Sequence, residues 1–372
     1  MELKNTGIVY RNPKPHVWSR HAYFPSVVNL GGGELLCSFL MSEAFESADG
    51  RIFLARSLDH GATWQLQGRM RPEEAGAYSE MCRLMRSRDG TLVANVFRWD
   101  RHREGEGLAN PQTLGFVETT PMLARSRDGG RTWSDAETFH PPIVGPEFEL
   151  CSPIVELSDG RWLLPTATWK AWDGHNPTGM KAVAFVSRDA GRTWPEYVNV
   201  LDGVERGIIH FESKVAEMRP GLLVSIGWAY HEADARDHPN VYSISSDGGR
   251  SFGPIRQTDL SGQTATILSL GGDRLLCVYR RTDQPGLWAA DVSLKNGRWR
   301  TLRQTSLWGA DSLLTAGCDN NRVRQFNVLR FGAPCMVRLD SGDIFIAFWC
   351  VEDCVSVIRW FTVRMEDMPE QP

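Results

Sequence analysis

The sequence predicts an all-β fold, a single six-bladed β-propeller spanning residues 1–372. Three observations predict it: an octapeptide turn that recurs along the chain, a strand–turn–strand pattern that recurs six times, and a composition rich in turn formers.

The octapeptide has the pattern S-x-D-x-G-x-[T/S]-[W/F]. It occurs as SLDHGATW from Ser57, SRDGGRTW from Ser126, SRDAGRTW from Ser187 and SSDGGRSF from Ser245. Asp and Gly two residues apart suit a tight turn, because the carboxylate accepts backbone N–H bonds and Gly takes positive φ. The terminal aromatic is expected beneath the turn as a plug, which gives Trp64, Trp133 and Trp194 structural roles. A degenerate fifth copy, SLKNGRW from Ser293, keeps the Asn-Gly turn and the Trp but loses the Asp.

The second pattern is an apolar strand, a Gly-containing turn and another apolar strand. Its copies are FPSVVNLGGGELLCSF, EMCRLMRSRDGTLVANVF, CSPIVELSDGRWLLPTAT, ESKVAEMRPGLLVSIGW, TATILSLGGDRLLCVY and PCMVRLDSGDIFIAFW. Six hairpins, each followed by further strands, make six four-stranded sheets. The last copy ends in VSVIRWFTV with no later segment for an outermost strand. The N-terminal GIVYRN is expected to supply it and complete the last blade.

The chain holds 35 Gly, 20 Pro and 14 Trp, with 42% hydrophobic and 23% charged residues, a net charge of −4 and mean hydropathy −0.31. This composition argues against disorder and against a membrane partner. The 41 Lys+Arg against 45 Asp+Glu leave no polybasic footprint, so nucleic acid is not expected as a partner. No apolar leader follows Glu2 and Lys4, and the expected location is cytoplasmic.

Cys37, Cys82, Cys151, Cys277, Cys318, Cys335, Cys350 and Cys354 form no CxxC or Cys/His zinc pattern. They read as small buried hydrophobes, with a Cys350–Cys354 disulfide as the alternative. Neither a metal nor a cofactor is expected. The Gly runs at Gly31 and Gly271 are turns within blades rather than phosphate cradles. Oligomeric state is not readable.

A propeller of this kind binds ligands where its inner strands begin and its second strands end. The first set of positions holds His21, Tyr23, Glu80, Glu147, Glu149, His210, Glu212, Gln263 and Arg330. The second holds Ser42, Glu43, Arg98, Asp100, Trp169, Lys170, Trp228, Tyr230, Arg280, Arg281, Trp349 and Glu352. Carboxylates, cations and aromatic faces at one rim suit a carbohydrate. Glu147 and Glu149 alternate, so only one can face the channel in an extended segment. The long insert WDRHREGEGLANPQTLG lies on the same rim, as a cover for the site or a subunit contact.

The octapeptide resembles the Asp-box, or BNR repeat, and six blades carrying it resemble the sialidase (neuraminidase) superfamily over nearly the whole chain. That resemblance implies a glycosidase site with three arginines on a substrate carboxylate, a Tyr nucleophile paired with a Glu, and an Asp acid/base on a first-blade loop. Glu212 falls where the Tyr-activating Glu would be, Glu80 falls near the second-blade acidic residue, and the loop SEAFESADG offers Asp49 or Glu46 as acid/base. The third arginine would be Arg280 or Arg281.

Where the family has Phe/Tyr-Arg-Ile-Pro, this chain has Ala22-Tyr23-Phe24-Pro25. Trp228 stands where the fourth blade would carry an Arg, and FGAPCM lacks the Tyr. Without a bidentate clamp on sialic acid, an ordinary sialidase is not expected. The expectation is an exo-acting glycoside hydrolase on a different terminal sugar, acidic ones included. Its catalytic groups come from Glu212, Glu80, Glu149 and Asp49, and Arg98, His210, Trp228, Tyr230, Arg280, Arg281, Arg330, Tyr23 and His21 bind substrate. The alternatives are a non-catalytic propeller binding glycan or protein, and a uronic-acid lyase with His210 or His21 beside Tyr23 or Tyr230.

Overall fold

The computed structural model describes residues 1–103, 105–311 and 328–366, and its strands form six antiparallel sheets in a β-propeller. The first blade is His21–Gly31, Glu34–Ser42, Arg51–Ser57 and Gln65–Arg69; the second is Tyr78–Arg86, Leu92–Asp100, Thr119–Ser126 and Glu137–Thr138. The third has an inner strand in two pieces, Glu147–Phe148 and Val155–Glu156, then Trp162–Trp169, Ala182–Ser187 and Glu196–Leu201. The fourth is Ile208–Arg219, Leu222–His231, Arg236–Ser245 and Arg256–Gln257; the fifth is Gly262–Gly271, Arg274–Arg281, Leu287–Ser293 and Arg300–Trp308. The sixth combines Phe331–Arg338, Ile344–Glu352 and Val355–Arg364 with Glu2–Tyr10 as its outermost strand.

Neighbouring blades cover both faces of each second strand, so these strands are apolar runs rather than alternating ones. All of Trp162–Trp169 is buried, whereas most of the outer strand Gln65–Arg69 is exposed. Each octapeptide satisfies its own backbone and pins its blade to the preceding one. Ser57 Oγ accepts the Gly61 N–H at 2.9 Å and donates to Asp59 at 2.8 Å, and Asp59 accepts the Thr63 N–H at 2.8 Å and its hydroxyl at 2.6 Å. The same bonds recur from Ser126, Ser187 and Ser245. The Thr63 hydroxyl and N–H hold the Asp59 carboxyl below its ordinary range, and Thr132 does the same for Asp128.

Gly61 has φ +93°, and a Cβ there would lie 2.6 Å from the Phe345 ring of the sixth blade, so the turn excludes other residues by conformation and by space. Trp64 lies against the same ring, 5.9 Å between centroids, with Nε1 donating to the Gly61 carbonyl at 2.9 Å. In the degenerate copy, Asn296 takes φ 57° and Trp299 still packs on Tyr242 at 5.6 Å. The described cysteines are free. Cys350 is buried within a strand and Cys354 is exposed in a turn, which corrects the disulfide alternative; Cys318 lies outside the described residues.

Four inner strands share a device at the channel. Their register slips at Tyr23/Ser26, Phe211/Lys214, Gln263/Thr266 and Gly332/Cys335. Within the slips Phe24, Glu212, Thr264 and Ala333 take φ of 53°, 45°, 48° and 47°. Each is a β-bulge with a non-Gly residue in the left-handed region, costing about 1–2 kcal/mol that the surrounding packing must offset.

Candidate functional site

The bulges re-aim side chains. Phe24, Glu212, Thr264 and Ala333 all line one cavity of about 190 Å³ at the channel mouth. Aromatic walls face each other across it. On one side Phe116, Trp169, Phe211 and Trp228 run in sequence with successive centroids 4.8, 5.0 and 4.8 Å apart. On the other Phe45 and Trp349 pack at 5.3 Å, with Phe24 beside them.

The second-blade insert forms part of the lining through Arg101, Leu108, Ala109 and Leu114. It is fastened to the third blade by Trp169 Nε1 donating to the Leu114 carbonyl at 2.7 Å and Asn110 donating to the Trp172 carbonyl at 2.9 Å. Gly115 lets this backbone approach, since a Cβ there would overlap the Ala171 carbonyl.

Among the described residues, three carboxyl groups face the cavity: Glu46, Glu149 and Glu212. Glu149 follows the short strand Glu147–Phe148, where the inner strand of the third blade breaks, and its Oε2 accepts the Glu212 N–H at 2.8 Å. Burial and the neighbouring Glu212 charge push the Glu149 carboxyl up to about 8, against the opposing pull of that N–H, Lys214 and Arg83. Burial also pushes Glu46 up to about 7, opposed by the Leu108 N–H at 3.1 Å and the charge of Arg101.

Three arginines among the described residues line the same space. Arg83 Nη1 donates to the Pro25 carbonyl at 3.0 Å, and its Nε is buried without a hydrogen-bond partner among the described residues. Arg101 donates to the Glu46 and Glu106 carbonyls at 2.7 and 2.8 Å. Arg280 donates to Gln263 Oε1 at 2.7 and 3.1 Å and to the Phe331 carbonyl at 2.9 Å. Gln263 in turn donates to Asp237 at 2.8 Å, and Asp237 accepts Trp228 Nε1 at 2.7 Å.

Of the residues singled out in the sequence, Glu149, Trp169, Glu212, Trp228, Arg280 and Trp349 come together here, and the loop alternative Glu46 faces the cavity where Asp49 does not. Asp49 instead accepts the Glu43 N–H at 3.1 Å and the Ser47 hydroxyl, closing its own loop. Glu80 points away from the lining because Ser79, Met81 and Arg83 occupy the cavity-facing parity of its strand. It pairs with Arg71 at 3.2 Å and Arg98 at 3.3 Å, and Arg98 also binds Glu74 at 2.7 Å.

Arg281 is held by Asp283 at 2.7 and 2.9 Å, and Arg330 is exposed, its carbonyl accepting the Val351 N–H at 2.7 Å. His21 Nδ1 accepts the Ser356 N–H at 3.0 Å. Tyr23 lies behind the lining, 5.2 Å from both Phe45 and Trp349, and burial raises its pKa. His210 is buried against Gly203 with its pKa pushed down to about 4 by burial, and Tyr230 packs on Phe211 at 6.1 Å. Glu147 opens into a separate polar recess with Asp100, Glu118 and Asp173.

Sequence reasoning missed Arg83 and Arg101. The signal for Arg83 was its place at the same parity as Ser79 and Met81 in YSEMCRLM, an arginine flanked by Cys82 and Leu84.

No protein-family profile and no curated relative matches the chain. Solved structures do match. A Dyadobacter fermentans protein of unknown function aligns with TM-score 0.72 and 19% identity over 97% of this chain and 98% of that one. A mutant of NanB sialidase from Streptococcus pneumoniae aligns at 0.66 and 11% over 95% and 70%. Trypanosoma rangeli sialidase, in complex with sialic acid, aligns at 0.64 and 15% over 93% of this chain and 54% of that one. These likenesses establish a sialidase-like propeller fold.

Proposed function

We propose that this chain is a glycoside hydrolase that removes a terminal sugar, one bearing an acidic group, at the channel mouth. The observation that carries this reading is the Glu149–Glu212 contact inside an aromatic-walled cavity that also holds Arg83, Arg101 and Arg280. A carboxyl raised to about 8 is still protonated at neutral pH, so Glu149 can donate its proton to the departing glycosidic oxygen. Glu212 faces the positive charge that develops at the anomeric carbon. Glu46, on the opposite wall and raised to about 7, is a second proton-carrying group. Guanidinium donors suit a carboxylate on the sugar, and the unpartnered Nε of Arg83 is a buried donor that such a ligand would satisfy.

The test is a hydrolysis screen with a chromogenic α-sialoside beside aryl uronides, rhamnosides and neutral hexosides, comparing wild type with Glu149→Gln and Glu46→Gln. Turnover of an acidic glycoside that Glu149→Gln removes supports the reading. Glycan retention without any product would replace it with a binding propeller, and an unsaturated product absorbing in the near ultraviolet with a lyase.

A further inference from the structure

The hairpin joining Leu222–His231 to Arg236–Ser245 in the fourth blade carries a cluster outside the cavity. Ala229 pairs with His238, and His231 lies two residues beyond Ala229, so both histidines occupy one face of the hairpin as diagonal neighbours. Their rings lie 5.9 Å apart at 77°. Asp234, in the turn, folds back so that its Oδ1 lies 2.7 Å from His231 Nδ1. One donor atom from each of His231, Asp234 and His238 falls within 4.8 Å of the others. The Nε2 of His238 is buried and has no hydrogen-bond partner among the described residues. A buried, unpaired imidazole nitrogen beside a second imidazole and a carboxylate lacks an electrophile that a metal ion would supply.

We propose that His231, Asp234 and His238 form a binding site for a divalent transition metal of the zinc type. Two neutral imidazoles and one carboxylate are a donor set that zinc favours, and three protein ligands leave a fourth tetrahedral position for water. The spacing H-x2-D-x3-H carries no signal in a linear reading, because the ligands converge only once residues 232–235 turn. The neighbouring Glu232 is engaged by Lys170 at 2.8 Å, which leaves the cluster's own carboxylate to the metal.

The ion would fasten the two strands at the turn that joins them. Asp237, adjacent to His238, is the residue that holds Trp228 and Gln263, and through Gln263 it orients Arg280. A bound metal therefore stiffens the support of one cavity wall without entering the cavity. Its role is structural and independent of whether the cavity hydrolyses a glycan.

The test uses the full chain without an affinity tag, titrated with Co²⁺ and followed by its visible ligand-field bands, with Zn²⁺ competition and calorimetry. The expected result is one saturable equivalent displaced by Zn²⁺, with a melting temperature that rises on Zn²⁺ addition. Asp234→Ala, in the exposed turn, weakens binding by at least about tenfold, the cost of losing even a supporting partner of a metal ligand. His231→Ala/His238→Ala abolishes both the bands and the thermal shift. Absence of saturable binding in wild type overturns the site, and so does binding that both variants leave unchanged. Should the double variant not fold, Asp234→Ala alone decides between these outcomes.

Discussion

The inner strands of the second and fourth blades each carry a glutamate in their first half, Glu80 and Glu212, and the structure uses them in opposite ways. Glu80 lies in an unbroken ladder running from Tyr78↔Asp100 to Arg86↔Leu92. Its parity sends it away from the channel, to Arg71 and Arg98. Glu212 sits in a bulge at φ 45°, where the slip between Phe211 and Lys214 turns its side chain into the cavity beside Glu149. One strand neutralises its acid with cations, and the other brings two acids together. A regular ladder makes side-chain direction a matter of counting, and a single extra residue reverses the count.

The sharpest break of this comparison is in rate. Glu149→Gln is expected to lower kcat on the glycoside substrate by about 10²–10⁴-fold, the range for losing a positioned acid, while Glu80→Gln leaves kcat nearly unchanged. In wild type, kcat should fall as pH rises through about 8, where Glu149 loses its proton, and steady-state profiles from pH 5 to 9 would show that limb. A Glu149→Gln profile that keeps the same limb would assign it to another group.

Stability inverts the ranking. Glu80→Gln removes a buried carboxylate from Arg71 and Arg98, which both keep Glu74, and should cost about 1–3 kcal/mol in urea unfolding. A loss below about 1 kcal/mol would class that cluster with ordinary surface ion pairs.

Linkage separates the two regions again. The Glu149 carboxyl titrates near 8 when folded against an ordinary 4.5, so the native state holds a proton that the unfolded chain releases between those values. This contribution is fully present below about pH 4.5 and is lost as pH rises toward 8. Unfolding free energies measured across that window should flatten in Glu149→Gln and keep their slope in Glu80→Gln.

The smallest effect tests the bulge itself. Glu212→Gly removes the left-handed strain and is expected to leave stability unchanged or raise it by up to about 1 kcal/mol, whereas Glu80→Gly in a regular strand lowers it. Chemical denaturation of both variants distinguishes them, and a marked loss at Glu212→Gly would show that its carboxylate holds the fold.

The propeller was legible because its turns demand particular residues. Ser57, Asp59, Gly61 and Thr63 each satisfy a named backbone or side-chain partner, and the demand repeats. The site was legible only in part, because it depends on slips of register and on a loop that crosses blades. Glu80 and Arg83 sit three residues apart in one strand, and choosing between them needs the strand's phase relative to the axis. Arg101 enters the cavity only because the insert bends back over it. His231 and His238 are seven residues apart in sequence and meet only through the hairpin.

The sixth sheet pairs Glu2 with Arg364 and Thr6 with Phe361, so its latch joins residues from opposite ends of the chain. During synthesis the strand Glu2–Tyr10 precedes its partner, Val355–Arg364, and is an open edge until that partner emerges. Ring closure therefore waits for Val355–Arg364, although its loop-closure entropy grows only with the logarithm of length. Amide protons on Glu2–Tyr10 would then report the opening and closing of the whole ring, a clock for the circle rather than for any blade.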